Sequence, residues 1–239
     1  MSSELELRGV TAGYGEVTVL HEVSLTVAKG RLTSLVGVNG AGKTTLLRTA
    51  AGLVKPTEGR VFFRGEDVTR EPAHVRARRG IALVPEGRQL FASMTVRENL
   101  ELGATPLRGK PDEIAHNLAR AFELFPRLRE REQQRAGTLS GGEQQMVAVA
   151  RGLMASPAVL MFDELSLGLS PTLTRSLFET LRTLKAAGQT MLLVEQNVHL
   201  ALAASDDAYV LSEGRIWKHG PAAEIAAHPE VQQALLGLV

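Results

Sequence analysis

The sequence predicts an α/β protein with a parallel core, and three observations carry that expectation. Short apolar strands alternate with helical stretches along most of the 239 residues. A glycine-rich turn, "GVNGAGKT", joins an apolar strand to a helix. One block, from about Gly87 to Ser156, is almost wholly helical and reads as an insertion into the alternating pattern.

In chain order, "ELELRGVTAGY" and "VTVLHEVSLTV" read as strands; in the second, Val17, Val19, Val23, Leu25 and Val27 keep odd-numbered spacing, which puts them on one face. "RLTSLVG" is a more buried strand, and the helix "GKTTLLRTAAGL" begins at Gly42 and stops at Gly52. "GRVFFRGEDV" and "GIALVPE" return to strand. The helical block holds "TVRENLELGA", "PDEIAHNLARAFELF" and "GGEQQMVAVARGLMA". "AVLMFDE" and "QTMLLVEQ" resume the apolar strands on either side of the helix "TLTRSLFETLRTLKAAG". "DDAYVLSEGRIWKHG" has the form of a hairpin turning at Glu213-Gly214, and a helix, "AAEIAAHPEVQQALLGL", closes the chain.

Composition narrows the function classes. With 44% hydrophobic residues the chain buries a real core, as one domain spanning 1–239 with a helical subdomain at about 87–156. A net charge of +1 and 4% aromatic residues give no footprint for nucleic acid. The basic run "HVRARRG", His74 to Gly80, reads as a solvated face, as does the mixed-sign "RLREREQQR". His21 and Glu22 have no partner at metal-ligand spacing. The absence of cysteine excludes disulfides and thiolate chemistry and fits a reducing, cytoplasmic setting. "MSSELELRGV" lacks the layout of a secretion signal, and no apolar run approaches the ~18 residues needed to cross a bilayer. If the protein works at a membrane, another chain does the crossing.

Two motifs point to phosphate and metal chemistry. In "GVNGAGKTT" the residues Gly37, Asn39, Gly40, Ala41, Gly42 and Thr45 offer a curled run of backbone N–H groups. Lys43 is placed for the β- and γ-phosphates of ATP and the Thr44 hydroxyl for Mg²⁺. "AVLMFDE" sets Asp163 and Glu164 at the end of an apolar strand, where ligands of open α/β sheets collect. Asp163 is suited to hold Mg²⁺ and Glu164 to orient or deprotonate the attacking water.

"LSGGEQQ", Leu139 to Gln145, is a second place for an anion. Ser140, Gly141, Gly142 and Glu143 open a helix whose first N–H groups lack partners, and the Ser140 hydroxyl adds to them; an ordinary Ser-capped helix start is the plain alternative. Since the glycine-rich turn already surrounds one triphosphate, the spare surface is explained by a nucleotide held by a second subunit, two chains lying head to tail.

"GVNGAGKTT", "LSGGEQQ" and "VLMFDE", in that order, resemble the ATP-binding cassette of ABC transporters over essentially the whole chain. The resemblance implies a P-loop NTPase core of the RecA-like kind, a small antiparallel β subdomain and an inserted helical subdomain carrying "LSGGEQQ". It also implies an ATP-driven dimer, with itself or with a related cassette. By that likeness Tyr14, in "AGYG", falls where an aromatic stacks on adenine. Glu86 stands where most members have a glutamine touching Mg²⁺ and the attacking water, and Gln196 where most have a histidine on the γ-phosphate. "VPEGR", "VEQN" and "SLGL" together look like an ATPase of branched-chain (hydrophobic) amino-acid uptake. Leu165 replaces a usual proline, and Ser170 stands where many cassettes place an aspartate that communicates across the dimer.

The resemblance implies a peripheral ATPase at the inner face of the cell membrane, powering import through separate permease subunits and indirectly served by a solute-binding protein. Phe91 and Met94 read as core packing or, by family likeness, as part of the surface that receives the permease. Two other functions compete: an ABC ATPase for cofactor assembly that meets no permease, and a non-hydrolysing regulatory subunit, the latter motivated by Glu86 and Gln196 and opposed by the intact Lys43, Asp163 and Glu164.

Overall fold

The computed structural model describes residues 2–236. Two sheets form. The first is antiparallel, with β1 (Ser3–Tyr14) between β2 (Val17–Ala28) and β4 (Glu58–Phe63), and the short β5 (Glu66–Asp67) at its edge. The second has six strands in the order β10 (Arg215–Pro221), β9 (Asp207–Ser212), β3 (Leu32–Val36), β8 (Thr190–Val194), β7 (Val159–Asp163) and β6 (Ile81–Val84). It is parallel except for the edge strand β10. Strands β3, β7 and β8 are buried at every position, which is why their sequences are mostly apolar, with Thr33 and Ser34 of β3 as buried exceptions.

The second strand departs from the single-face expectation. Val17 is two-thirds exposed, while Leu20, Val23, Leu25 and Val27 are buried. The parity changes at Glu22, which takes a left-handed φ of 51°, and the register against β1 shifts between Val10↔Val23 and Ala12↔Leu20. An extra residue in a strand moves everything beyond it to the other face.

Helix α1 (Lys43–Ala50) lies where the two sheets meet. Its Leu46, Leu47 and Ala50 share one core with Leu7 and Leu25 of the antiparallel sheet and with Met161 and Leu192 of the parallel sheet. The other face of the parallel sheet is covered by α7 (Pro171–Ala186), α8 (Val198–Ala204) and the helical block: α3 (Val96–Gly103), α4 (Pro111–Leu124), α5 (Pro126–Glu130) and α6 (Gly141–Leu153). The closing helix is two helices, α9 (Ala222–Ala227) and α10 (Pro229–Leu236), because Pro229 has no N–H to continue the ladder through His228. Gly237 and Leu238, at its predicted end, lie outside the described residues. Among the described residues no helix is long and apolar enough to cross a membrane.

The basic run at 74–80 is not a uniformly solvated face. It forms α2 (Ala73–Arg79), and its Arg76 is buried, with 1% of its surface exposed. Arg76 donates to the carbonyls of Thr49 and Ala50 at 2.8 Å each, Thr69 at 3.0 Å and Glu71 at 3.1 Å. It therefore caps the carboxyl end of α1, where carbonyls lack helical partners and a cation is favoured. Burial lowers its pKa, with Glu71 and Asp67 acting against that shift. Gly52, at φ 78°, makes room: a Cβ there would stand 2.9 Å from Arg76 Nε and 3.0 Å from the Glu71 carbonyl. "RLREREQQR" is likewise mixed, since Leu128 is buried and Arg131 pairs with Glu143 at 2.9 Å.

Arg76→Met keeps the aliphatic stem but leaves these carbonyls without their donor. Urea unfolding should show a loss of roughly 2–4 kcal/mol with an unchanged slope, whereas substitution of the exposed Arg78 should change little.

Candidate functional site

The parallel strands deliver the predicted residues to one edge of the sheet. β3 runs into the glycine-rich turn, β6 into Glu86, β7 into Asp163 and Glu164, and β8 into Gln196. A cavity of about 450 Å³ is lined by Asn39, Gly40, Lys43, Thr44, Glu86 and Glu164, with Gly42 and Thr45 also on its wall. The turn itself is shaped by close approach. Gly37 passes so near β9 that a Cβ would lie 2.3 Å from the Leu211 carbonyl oxygen. Gly42 takes φ 105° against Leu20. Ala41 is buried, and its N–H donates to the Val38 carbonyl at 3.2 Å.

Lys43 is buried, and its ammonium bonds the carbonyls of Gly37 at 2.9 Å and Val38 at 3.1 Å. Burial lowers its pKa, and the charges of Glu164 and Asp163 oppose that. Asp163, 4% exposed, accepts from the Thr44 hydroxyl at 3.1 Å. Its pKa is pushed up to about 6, chiefly by burial, with Glu164 and Glu86 adding to the rise and the Thr44 bond and Arg48 opposing it. Three acids thus gather beside one lysine, an excess of negative charge that a cation would relieve. Hydroxyl and carboxylate oxygens are the donors a small hard cation such as Mg²⁺ prefers, and Mg²⁺ is commonly held by one or two carboxylates plus phosphates. Among the described residues no group of three or more acidic, histidine or cysteine side chains forms a dedicated metal cage.

Glu164 is half-buried and takes a left-handed φ of 49°, with its N–H bonded to the Val194 carbonyl at 2.9 Å. A cavity of about 260 Å³ brings it together with Gln196, which is exposed. Between them stands a residue that the sequence reading missed, Glu195, 1% exposed. Its carboxylate accepts from the Ser166 N–H at 2.7 Å and from the Ser166 hydroxyl at 2.8 Å, so it ties the loop after Glu164 to the loop carrying Gln196. Burial raises its pKa, opposed by the Ser166 bonds and by the N–H groups of Asn197 and Gln196. An acid ending an apolar strand was the available signal.

Tyr14 ends β1 and is 44% exposed; its hydroxyl accepts from Arg48 at 3.4 Å. It borders a cavity of about 420 Å³ together with Pro85, Glu86 and Asp163. His199 lies on α8 with its side chain exposed. The two departures in the loop after Glu164 have local explanations. Leu165 is buried in the helical-side core, and the Ser170 hydroxyl caps α7 by accepting from the Leu173 N–H at 3.4 Å.

Ser140, Gly141, Gly142 and Glu143 do not line the cavity at Lys43. They start α6, and Glu143 closes that start itself. Its carboxylate accepts from the Ser140 N–H at 2.9 Å and hydroxyl at 2.7 Å, while the Glu143 N–H donates to the Ser140 hydroxyl at 3.4 Å. The glycine pair has close neighbours within the chain: a Cβ on Gly141 would meet the Arg88 guanidinium at 3.1 Å, and one on Gly142 the Leu173 side chain at 2.3 Å.

With this geometry in view, residues 20–166 match the family model described as ABC transporter. The chain is 45% identical to the high-affinity branched-chain amino acid transport ATP-binding protein BraG of Pseudomonas aeruginosa, over 95% of this chain and 97% of that one. It is 39% identical to the probable branched-chain amino acid transport ATP-binding protein LivF of Archaeoglobus fulgidus, over 96% and 97%. Among solved structures it superposes on an ATP-binding cassette of an ABC transporter in its ADP conformation, with a TM-score of 0.84, 30% identity and 99% of both chains covered.

The self-capped helix start carries a pH signature. The Ser140 hydroxyl, then the Ser140 N–H, hold the Glu143 carboxyl below its usual 4.5, with Arg131 and Arg127 assisting against a small cost of burial. A lowered folded-state pKa contributes stability that is present above the unfolded value and is lost as pH falls through the folded one. Between about pH 5 and pH 3 the wild type should therefore lose more unfolding free energy than Glu143→Gln, read from urea midpoints across that range.

Proposed function

The chain belongs to the ABC transporter family, and from that premise we propose that it is the ATP-hydrolysing subunit of an importer of branched-chain or other hydrophobic amino acids. The observation that carries the reading is the convergence of Lys43, Thr44, Glu86 and Glu164 on one cavity with Asp163 beside it. The likeness to BraG and LivF supports amino acids as cargo and favours a transporter subunit over a cofactor-assembly or regulatory role.

In this reading the N–H groups of residues 37–45 bind the triphosphate at the start of α1, where the helix dipole favours negative charge. Lys43 leaves its carbonyl partners for phosphate oxygens and neutralises charge that grows as the γ-phosphoryl group departs. Tyr14 stacks on the adenine. Thr44, Asp163 and Glu86 are the residues that would hold Mg²⁺, which supplies Lewis-acid stabilisation of the phosphate oxygens. Glu164 accepts the proton of the water that attacks the γ-phosphorus. Gln196 donates a hydrogen bond to a phosphate oxygen and, unlike histidine, adds no titration near neutral pH.

The start of α6 faces the triphosphate of a second copy or related cassette. Ser140 and the N–H groups of Gly141, Gly142 and Glu143 would close over it, with the Glu143 carboxylate turning aside. An apolar groove of about 370 Å³, rimmed by the exposed Leu53, Phe91 and Leu102 and floored by Ala77 and Gly152, is suited to a segment of a permease. Met94, partly buried, is not on that rim. The subunit would then work at the inner face of the cell membrane, with a solute-binding protein acting through the permease.

Glu164→Gln should lower ATP turnover by about 10²–10⁴-fold while retaining ATP binding, measured by phosphate release and by nucleotide titration. An inactive wild type would instead favour the regulatory role. Gln196→Ala should cost about tenfold in turnover, and full activity there would remove it from the phosphate site. With ATP and Mg²⁺, Glu164→Gln should run at twice its monomer mass by light scattering. Adding Ser140→Ala should weaken that dimer, and an unchanged dimer would count against the shared site.

A further inference from the structure

The basic residues are unevenly placed along the chain. Residues 55–79 carry seven lysines and arginines against four acids, a local excess of three positive charges in a chain whose net charge is +1. Part of that excess surrounds a cavity of about 790 Å³, larger than the one at Lys43 and sharing no lining residue with it. One wall is drawn from residues 55–60, on the approach to β4 and its first turn, and the other from residues 67–71, between β5 and α2.

The backbone of both walls is tied down. The Thr57 N–H donates to the Thr11 carbonyl at 2.9 Å. Gly59, at φ 78°, passes so near β1 that a Cβ would lie 2.3 Å from the Gly9 carbonyl oxygen. On the other wall the Thr69 hydroxyl accepts from the Val61 N–H at 2.9 Å. The carbonyls of Thr69 and Glu71 accept from the Arg76 guanidinium at 3.0 and 3.1 Å.

The charges on this frame are not matched. Both acids of the cavity are engaged. Asp67 accepts from the Thr69 N–H at 2.9 Å and faces Arg60 at 3.6 Å. Glu71 is paired with Arg79 at 2.6 Å, and its second oxygen is shut off from solvent. Lys55 and Arg70 also line the cavity, are exposed, and have no hydrogen bond or ion pair among the described residues. Bonded to the second wall is the buried Arg76, whose acceptors are all carbonyls, so no carboxylate in contact neutralises it. A cleft with low-dielectric walls concentrates such a field.

We propose that this cavity binds a phosphate group, carried by a small molecule or by a lipid head, with Lys55, Arg60 and Arg70 as its partners. Guanidinium forks match phosphate oxygens two at a time, and an ammonium adds a point charge. A dianion would offset most of the local excess, including the Arg76 charge that no acid touches. The cavity is far larger than one phosphate, which leaves room for the organic group that carries it. The site stands apart from the reading of the Lys43 cavity as the place of ATP, and neither depends on the other.

The test follows the backbone amide resonances of the full chain during titration with glycerol phosphate at constant ionic strength. In parallel the chain is sedimented with phosphatidylglycerol vesicles, with phosphatidylcholine vesicles as reference. Saturable shifts at Gly59, Thr69 and Arg70, separate from any at residues 37–45, mark a soluble ligand. Sedimentation with the anionic vesicles alone marks a lipid head. In either arm Arg60→Gln and Arg70→Gln should each weaken binding by about tenfold, and Arg78→Gln, outside the cavity, by less than about twofold. Arg70→Lys keeps the charge without the fork and should recover part of the loss. Unchanged melting temperatures of the ligand-free variants separate lost binding from lost folding. The proposal is overturned if neither arm shows binding, or if sodium chloride at equal ionic strength reproduces the shifts. It is overturned equally by a response confined to residues 37–45, or by one that Arg70→Gln leaves unchanged.

Discussion

Helix α1 is clamped between two sheets and held at both ends, and the site depends on that. Its first turn is the wall of the cavity at Lys43, while its last carbonyls receive the buried Arg76 guanidinium. Its apolar positions meet the antiparallel sheet on one side and the parallel sheet on the other. A helix so held has its axis set by packing on both sides and by the cation at its carboxyl end. The dipole runs the same way: the unpaired N–H end points at the site, and a cation sits at the carbonyl end.

Against that fixed element, the charges at the strand ends are left unbalanced. Lys43 is satisfied by two carbonyls of its own turn, and the Asp163 pKa is pushed up to about 6, chiefly by burial, with Glu164 and Glu86 adding to the rise. The start of α6 is in the opposite condition. Its N–H end is already covered by the Glu143 carboxylate, and its two glycines are packed against Arg88 and Leu173. The glycines thus have a reason within the chain: they leave room for the Arg88 guanidinium and the Leu173 side chain.

The helical block meets the loops around the Lys43 cavity at a few named points. Arg151 and Gln144 reach the segment after Glu86, and Leu173 of α7 fills the space beside Gly142. Glu195 performs the corresponding service inside the core, joining the Ser166 loop to the Gln196 loop.

The sequence by itself determined the phosphate turn, the paired acids and the apolar parallel strands. Each is a local pattern: strands buried on both faces are mostly apolar, Thr33 and Ser34 being exceptions, and a turn suited to an anion sets glycines beside a lysine. The hairpin at Glu213-Gly214 was legible for the same reason, and both residues take the left-handed conformations a tight turn requires. Tertiary structure alone decided the rest. Arg76 looked like one of several surface cations because its partners are backbone carbonyls, 26 and 27 residues away at the end of α1, and every residue carries a carbonyl. The bonds from Arg151 to the carbonyls of Gln89 and Arg88, 62 and 63 residues earlier, were invisible on the same ground. The parity change at Glu22 depends on register against β1, and register is a property of the pair, not of either strand.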